Sequence, residues 1–324
     1  MVKAIVIRKT GGPEVMEYVD VEVGEPGPGE VRIRNVACGV NFIDVYFRIG
    51  LYPQPLPGGV GQEGAGVIEA VGLGVLGFKP GDRVAYAGRP NGSYSEVRLM
   101  PVAMLVKLPD EISFDVAAAS LLQGLTVQYL FRRTFPVKEG DTILFHAAAG
   151  GVGLIAAQWA RSLGVKMIGT VGSDEKKALA LAAGCTHVIN SKTENIVERM
   201  KEFTNGKGVP VVFDSIGKDT FIDSLDCLSP LGTMVSFGSS SGPVPPFSLN
   251  ELVSRGSLSI TRPSLSHYIS TRAELDAAAA DLFQMIGSKK IVIDINQRYA
   301  LKDAAQAHID LEGRKTTGST ILIP

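Results

Sequence analysis

The chain has 324 residues, 45% of them hydrophobic and 20% charged, with a formal net charge of −1 at pH 7. That length fits two domains of roughly 150 residues each, and the charge balance excludes bulk recruitment to nucleic acid or an anionic membrane. Cys38, Cys185 and Cys227 lack CxxC spacing, which excludes a disulfide framework.

In chain order, the opening MVKAIVIRKTGG carries charges within its apolar run and so does not read as a signal peptide. No apolar run nears the roughly 20 residues of a membrane helix, and a reducing, cytoplasmic setting is expected. VRIRNV alternates apolar and charged residues, and GEPGPGE and PQPLPGGVG punctuate short strands. The first 120 or so residues thus read as a β-rich, loop-heavy domain. Thr142–Ala147, Val165–Val171, Thr186–Ile189, Val209–Asp214, Thr233–Phe237 and Ser257–Arg262 follow as short β-rich runs. Amphipathic segments separate them: Ile155, Trp159 and Leu163 share one helical face, and Ile196, Met200 and Phe203 another. Gly164 and Gly184 stand where helices should end. Such alternation predicts an α/β fold with a doubly wound parallel sheet. After Arg262 come a helix with a Thr271–Glu274 capping box, a strand at IVIDI (Ile291–Ile295), a helix near Lys302–Glu312, and the strand-like STILIP. The simplest architecture inserts the α/β unit, 123–265, into a β-rich domain built from 1–122 and 266–324.

The first βα turn, HAAAGGVGLIAAQWARSLG, carries the chemistry. Ala148, Gly150 and Gly153 occupy the positions of a G-x-G-x-x-G fingerprint, in the strand–turn–helix context that gives it meaning. Gly150 would let the backbone approach a pyrophosphate, and Gly153 would let helix pack against strand. The free N–H groups of a helix starting near Gly151 and Val152 would face the phosphates. The alternative is a tight turn without a ligand. The second run ends in GTVGSDEKK, where an NAD site would place a carboxylate for the ribose. Gly172, Ser173, Lys176 and Lys177 suit a 2′-phosphate better, and Asp174 is assigned to the first turn of its helix. NADPH is the expected cofactor, with a solvated helix face as the alternative for Lys177.

GSSSG, Gly238–Gly242, matches the G-x-S-x-G nucleophile elbow, and His267 and His308 lie downstream. An elbow needs a helix directly after the serine, and PVPP opposes one. A loop beside the cofactor is the better reading than an esterase.

The run GDTILFHAAAGGVGLIAAQWAR resembles the signature of the quinone oxidoreductases among the zinc-independent medium-chain dehydrogenase/reductases. GVNFIDVYFRIGLYP, GQEGAGVIEAVG, LTVQYL, VFDSIG, MVSFGSSSG and ITRPSL resemble the bacterial members in the same order, over essentially the whole chain. The resemblance implies a Rossmann domain inserted into a GroES-like catalytic domain, a homodimer paired through the nucleotide domain, and NADPH-dependent reduction of a small-molecule quinone. Zinc-dependent relatives carry GxCxxD and GHExxG at the metal; here GVNFID and GQEGAG put Asn41 and Gln62 at the ligand positions. Amides are poor zinc ligands, and His146, His187, His267 and His308 show no ligand spacing, so no metal is expected and a structural role is expected for each histidine.

A developing oxyanion would be met by Asn41, Tyr46, Tyr52 or a bound water, with packing as the alternative for the tyrosines. The resemblance also places Asn41 and Thr126 near the nicotinamide and Tyr129 on the cofactor. Phe237, Gly238 and Ser239 would pass the ribose, and Arg262 and Arg314 would approach the dinucleotide. Ser191 replaces a tyrosine that relatives often carry, which removes an aromatic face but leaves a hydroxyl for the phosphate or ribose of the cofactor. Two rivals remain: an alkenal or enone reductase, and a non-catalytic binding protein of the crystallin or AU-rich RNA-binding kind, against which the near-zero charge counts.

Overall fold

All six β-rich runs of the middle third become strands of one parallel sheet. The computed structural model describes residues 1–324. Across the sheet the order is His187–Asn190, Lys166–Val171, Thr142–Phe145, Val209–Asp214, Leu228–Ser236 and Ser259–Thr261. The strand that comes first in sequence therefore lies in the middle, and successive strands add outward on each side of it. This is the Rossmann order, whose reversal of direction leaves a crevice at the carboxyl ends of the central strands.

Helix Gly151–Ser162 follows the central strand and buries Leu154 through Ala160, with Trp159 fully enclosed. Each large side chain so buried contributes about 1.5–3 kcal/mol. The helix hands over to Gly164 at φ +70°, and Asp174–Ala183 ends on Gly184 at φ +131°, both in the region that favours glycine. On the far side Ile189, Ile196, Met200, Val212, Leu225 and Met234 share one apolar cluster.

One expected strand is absent. IVIDI does not pair; the strand begins only at Ile295 and runs to Ala300. The carboxamide of Gln158 takes the place of a neighbouring strand, donating to the Val292 carbonyl at 2.9 Å and accepting the Val292 N–H at 2.8 Å. Residues Lys289–Val292 accordingly belong with Thr126–Tyr268 in one compact unit.

The other unit comprises Met1–Leu125, Ile269–Ser288 and Ile293–Pro324. Its larger sheet runs Ile295–Ala300, Ser319–Ile323, Glu30–Val40, Glu63–Val71, Arg83–Ala87, Leu105–Lys107, and Val97–Pro101 also pairs with Glu30–Val40. A three-stranded sheet of Met16–Val21, Val2–Ile7 and Gly58–Gly59 completes it. Helix Arg272–Gly287 opens with the expected capping box, Thr271 N–H to Glu274 at 3.1 Å and Glu274 N–H to Thr271 Oγ1 at 3.3 Å. The last helix starts at Ala304, after a single 3₁₀ turn over Leu301–Asp303. No helix is long and apolar enough to cross a membrane.

Candidate functional site

The glycine turn is built by satisfying its own amides early. Ala147 stands at φ +55°, the Ala148 N–H bonds the Thr170 carbonyl at 2.9 Å, and the Gly150 N–H returns to the Ala147 carbonyl at 3.0 Å. Gly150 then caps the helix in extended conformation. The next amides, of Gly151, Val152 and Gly153, belong to the first turn, where a helix has no internal acceptor to offer. They form a cluster of donors at the positive end of the helix dipole. A Cβ on Gly153 would lie 2.4 Å from the Ala147 carbonyl oxygen and 2.6 Å from the Ala148 backbone, so helix and turn touch only because that side chain is missing. At Gly150 the nearest atom to such a Cβ is 3.4 Å away, so the backbone there is open to a ligand. The methyl of Ala148 is accommodated by Gly169 on the adjacent strand, where a Cβ would come within 2.6 Å of it.

Beneath the turn lies a closed polar network. Asp214, at the end of its strand, accepts from the Ile216 and Gly217 amides and from the hydroxyls of Thr220 and Ser224. The Ser224 proton is committed there, so its oxygen accepts from His146 Nε2–H at 3.0 Å, and His146 Nδ1 accepts from Thr170 at 3.0 Å. His146 is fully buried, and burial pushes its pKa down. It is the structural residue the sequence suggests.

At the carboxyl ends of Lys166–Val171 and His187–Asn190 the expected phosphate ligands are already engaged. Lys177 is bound to Glu194 and lies 3.8 Å from Asp174. The Ser173 hydroxyl holds Glu175 below the usual carboxylate range. Ser191 donates to the Val171 carbonyl at 3.1 Å. Gly172 is unobstructed except for the stem of Lys192, 3.9 Å from where a Cβ would stand.

After Leu228–Ser236 the chain passes Phe237, packed on Phe145, then Gly238 and Ser239. Arg262 braces this passage, donating to the carbonyls of Ser236 and Gly238 at 3.0 and 2.7 Å and to Ser239 Oγ at 3.1 Å. No helix follows GSSSG before Asn250, so the elbow is ruled out by backbone geometry. Tyr129 stacks on Tyr268 at 4.5 Å, and Thr126 is buried at the start of the same unit.

In the other unit Asn41 precedes helix Phe42–Arg48. An N-cap asparagine ordinarily turns its side chain to the helix amides. This one donates to Glu63 at 2.6 Å and accepts from Gln123 at 3.1 Å, and Ser319 bonds Gln123 in turn at 2.9 Å. Glu63 is fully buried, receives the Leu122 N–H at 2.7 Å and has no cationic partner; burial pushes its carboxyl up to about 8. Neither Glu63 nor Gln123 stands out in the sequence, though Glu63 sits inside the quoted GQEGAG. Gln62 bonds Asn91 at 2.7 Å. Tyr46 and Tyr52 meet edge to face at 5.3 Å, with Tyr46 buried and Tyr52 half-buried. Arg314 is exposed at φ +58°. His308 is buried between Arg48 and Tyr94, at 2.9 and 3.1 Å, and Tyr94 donates to Asp44.

Two family descriptions match: an alcohol dehydrogenase GroES-like domain over residues 27–110 and a zinc-binding dehydrogenase over 151–284. The quinone oxidoreductase of Pseudomonas aeruginosa is 55% identical over 325 residues, covering all of both chains. The chain belongs to the quinone oxidoreductase family. The crystal structure of Escherichia coli quinone oxidoreductase complexed with NADPH superimposes at a TM-score of 0.98, with 52% identity over 99% of this chain and 100% of that one. A 2-haloacrylate reductase from a Burkholderia species is 47% identical over 332 residues, covering 100% of this chain and 99% of its own. In this chain the amides Asn41 and Gln62 are engaged by Glu63 and Asn91. No group of three or more His, Cys, Asp or Glu side chains is arranged to hold a metal ion.

Proposed function

We propose that the chain reduces quinones with NADPH and without a metal. The observation that carries the proposal is the turn at Gly150–Gly153, where three consecutive amides of the first helical turn follow the open backbone of Gly150, and the missing side chain of Gly153 lets the helix sit against the turn. The full-length similarity to a quinone oxidoreductase solved with NADPH supports it. When bound, the dinucleotide supplies a hydride; the protein supplies position and a dry site. Ala148, Gly150, Gly151, Val152 and Gly153 would hold the pyrophosphate. Gly172, Ser173, Lys177 and Ser191 surround the place for the adenosine phosphate. Phe237, Gly238 and Ser239, with Arg262 fixing their backbone, would pass the ribose, and Thr126, Tyr129 and Arg314 would complete the cofactor contacts.

Asn41, Tyr46 and Tyr52 are the candidates to meet the acceptor. Glu63 and Gln123 hold the Asn41 carboxamide in one orientation, which leaves it one N–H to donate. A quinone is a strong acceptor and needs little more polarisation than that. The domain division 1–122 with 266–324 and 123–265, a homodimer and a cytoplasmic setting belong to the same proposal.

The 2-haloacrylate reductase relative favours a second reading, hydride delivery to a conjugated C=C. One assay separates the two. NADPH oxidation is followed by absorbance with 1,4-benzoquinone, an α,β-unsaturated ketone and 2-chloroacrylate in parallel, with and without a chelator. Chelator-resistant turnover with the quinone is expected. Preference for the conjugated alkenes moves the chain to the second reading, loss of activity with chelator overturns the metal-free assignment, and turnover with none of the acceptors overturns both.

A further inference from the structure

We infer that Glu63 is a positioning residue: it sets the direction of a chain of hydrogen bonds through Asn41, and so decides whether Asn41 offers an N–H or a carbonyl oxygen to the acceptor. The inference rests on the quinone reading above. Glu63, Asn41, Gln123 and Ser319 lie in one unit of the fold, and all four are buried. The chain runs one way. The Ser319 hydroxyl donates to Gln123 Oε1 at 2.9 Å, Gln123 Nε2 to Asn41 Oδ1 at 3.1 Å, and Asn41 Nδ2 to Glu63 Oε2 at 2.6 Å. The second carboxyl oxygen, Oε1, takes the Leu122 N–H at 2.7 Å. That amide belongs to the first turn of helix Leu121–Tyr129, where the helix has no acceptor for it.

Three members of the chain are indifferent to its direction. A carboxamide turned end for end keeps its outline and exchanges donor for acceptor, and a hydroxyl serves as either. Only an ionised carboxyl is an acceptor alone. It obliges Asn41 to turn Nδ2 towards it, Gln123 to turn Nε2 towards Asn41, and Ser319 to give its proton to Gln123. Asn41 Nδ2 then has one N–H to spare, which suits the acceptor-only oxygen of a quinone and the negative charge that develops on it. In the reversed chain a carbonyl oxygen takes that place, which suits the O–H of a hydroquinone and opposes an oxyanion. The carboxyl has little room to move, because a Cβ on Gly39 would lie 2.2 Å from Oε2. The titratable groups that face it are Asp44, from helix Phe42–Arg48, and the Cys38 thiol, from strand Glu30–Val40, which burial pushes up to about 12. Neither is a cation. Burial raises Glu63 itself to about 8. Above that pH the chain runs as described, and it turns as the carboxyl gains a proton and becomes a donor.

Glu63→Gln keeps the shape and fixes the chain the other way: its one oxygen must stay on the Leu122 N–H, so its amide faces Asn41 as a donor. The test compares 2,3,5,6-tetramethyl-1,4-benzoquinone as substrate with its hydroquinone as inhibitor, without oxygen, from about two pH units below the raised carboxyl to about two above it. At the alkaline end Glu63→Gln should lose about tenfold in kcat/KM for the quinone and bind the hydroquinone about threefold more tightly, the size of single hydrogen bonds. In wild type, kcat/KM for the quinone should rise with pH while inhibition by the hydroquinone weakens, and in Glu63→Gln both should be flat. A merely structural lesion would weaken both ligands together, and that result overturns the inference, as does a wild-type pH profile retained in Glu63→Gln. Should the variant fail to fold, wild type alone decides: the two ligands must respond to pH in opposite senses, and a shared or flat response overturns the inference. Absence of quinone turnover by wild type at every pH overturns the quinone reading itself, a different result from turnover without the opposed responses.

Discussion

Gly153 and Gly169 do the same work from opposite sides, each giving up a side chain so that another atom can come close. For Gly153 the fingerprint spacing announces the need. For Gly169 nothing local does, because the atoms that would collide, the Ala148 methyl and the Cys185 sulfur at 2.6 and 3.0 Å, come from other turns of the chain. Overpacking of this kind costs about 1–3 kcal/mol, and at Gly153 it falls on the very amides offered to phosphate. Gly153→Ala is therefore expected to fold, by circular dichroism, while NADPH affinity measured by titration falls at least about tenfold; unchanged affinity would mean that the turn does not hold the pyrophosphate. Glu63 shows the limit of residue-level reading in another way. Its neighbours Gln62 and Asn41 attract notice by what they replace, whereas a buried carboxylate among neutral donors can be seen only once Leu122 and Gln123 are folded beside it.

At the scale of elements, long amphipathic alternation carries well. The strand–helix succession, its direction and the glycines that end two helices follow from periodicity and from which residues tolerate positive φ. IVIDI has the composition of a strand but lacks a strand to pair with, and a side-chain amide satisfies Val292 instead. There a partner distant in sequence overrides the local pattern. Lys177 has the position of a phosphate ligand on its helix and is paired with Glu194, from the turn after the next strand, a partner that local pattern does not announce. The Lys177 pairing makes a prediction with an unusual sign: Glu194→Gln should release the ammonium and tighten 2′,5′-ADP relative to 5′-AMP, two nucleotides that differ only by the 2′-phosphate, read by isothermal titration of the full chain. Weaker binding would show that Glu194 instead supports the phosphate site.

For the whole molecule, buried titratable groups of opposite kind shape the response to pH. Burial, then the nearby Arg48, pushes His308 down to about 3, and burial lowers His146 despite the pull of Asp214. An unfolded histidine titrates near ~6.5. The unfolded chain therefore takes up protons that the folded one refuses, so this contribution is complete above ~6.5 and is lost as pH falls from there towards about 3. At about 1.4 kcal/mol per unit, His308 alone accounts for several kcal/mol. Glu63 and Asp44 run the other way: burial raises them to about 8 and about 7, so their contribution is greatest in acid and is lost as pH rises from the ~4 of an unfolded carboxyl towards those values. Differential comparison isolates the histidine. The gap in melting temperature between wild type and His308→Gln should be widest above pH 6.5 and close towards pH 3; a gap independent of pH would assign the histidine a purely steric role.

The bond between Gln158 and Val292 also decides how the protein can be cut. Nucleotide-binding units are often treated as modules that can be excised, transplanted or expressed alone. Here the unit is discontinuous, and its last four residues return only after the chain has completed helix Arg272–Gly287 in the other unit. A fragment of 126–268 would strip the buried carboxamide of Gln158 of two of its partners and remove Ile291, which is 1% exposed, from its packing. Each lost hydrogen bond leaves a buried group unsatisfied, at a cost of about 1–3 kcal/mol. The natural module is the whole polypeptide, and grafting this cofactor unit onto another scaffold requires carrying the returning tetrapeptide with it.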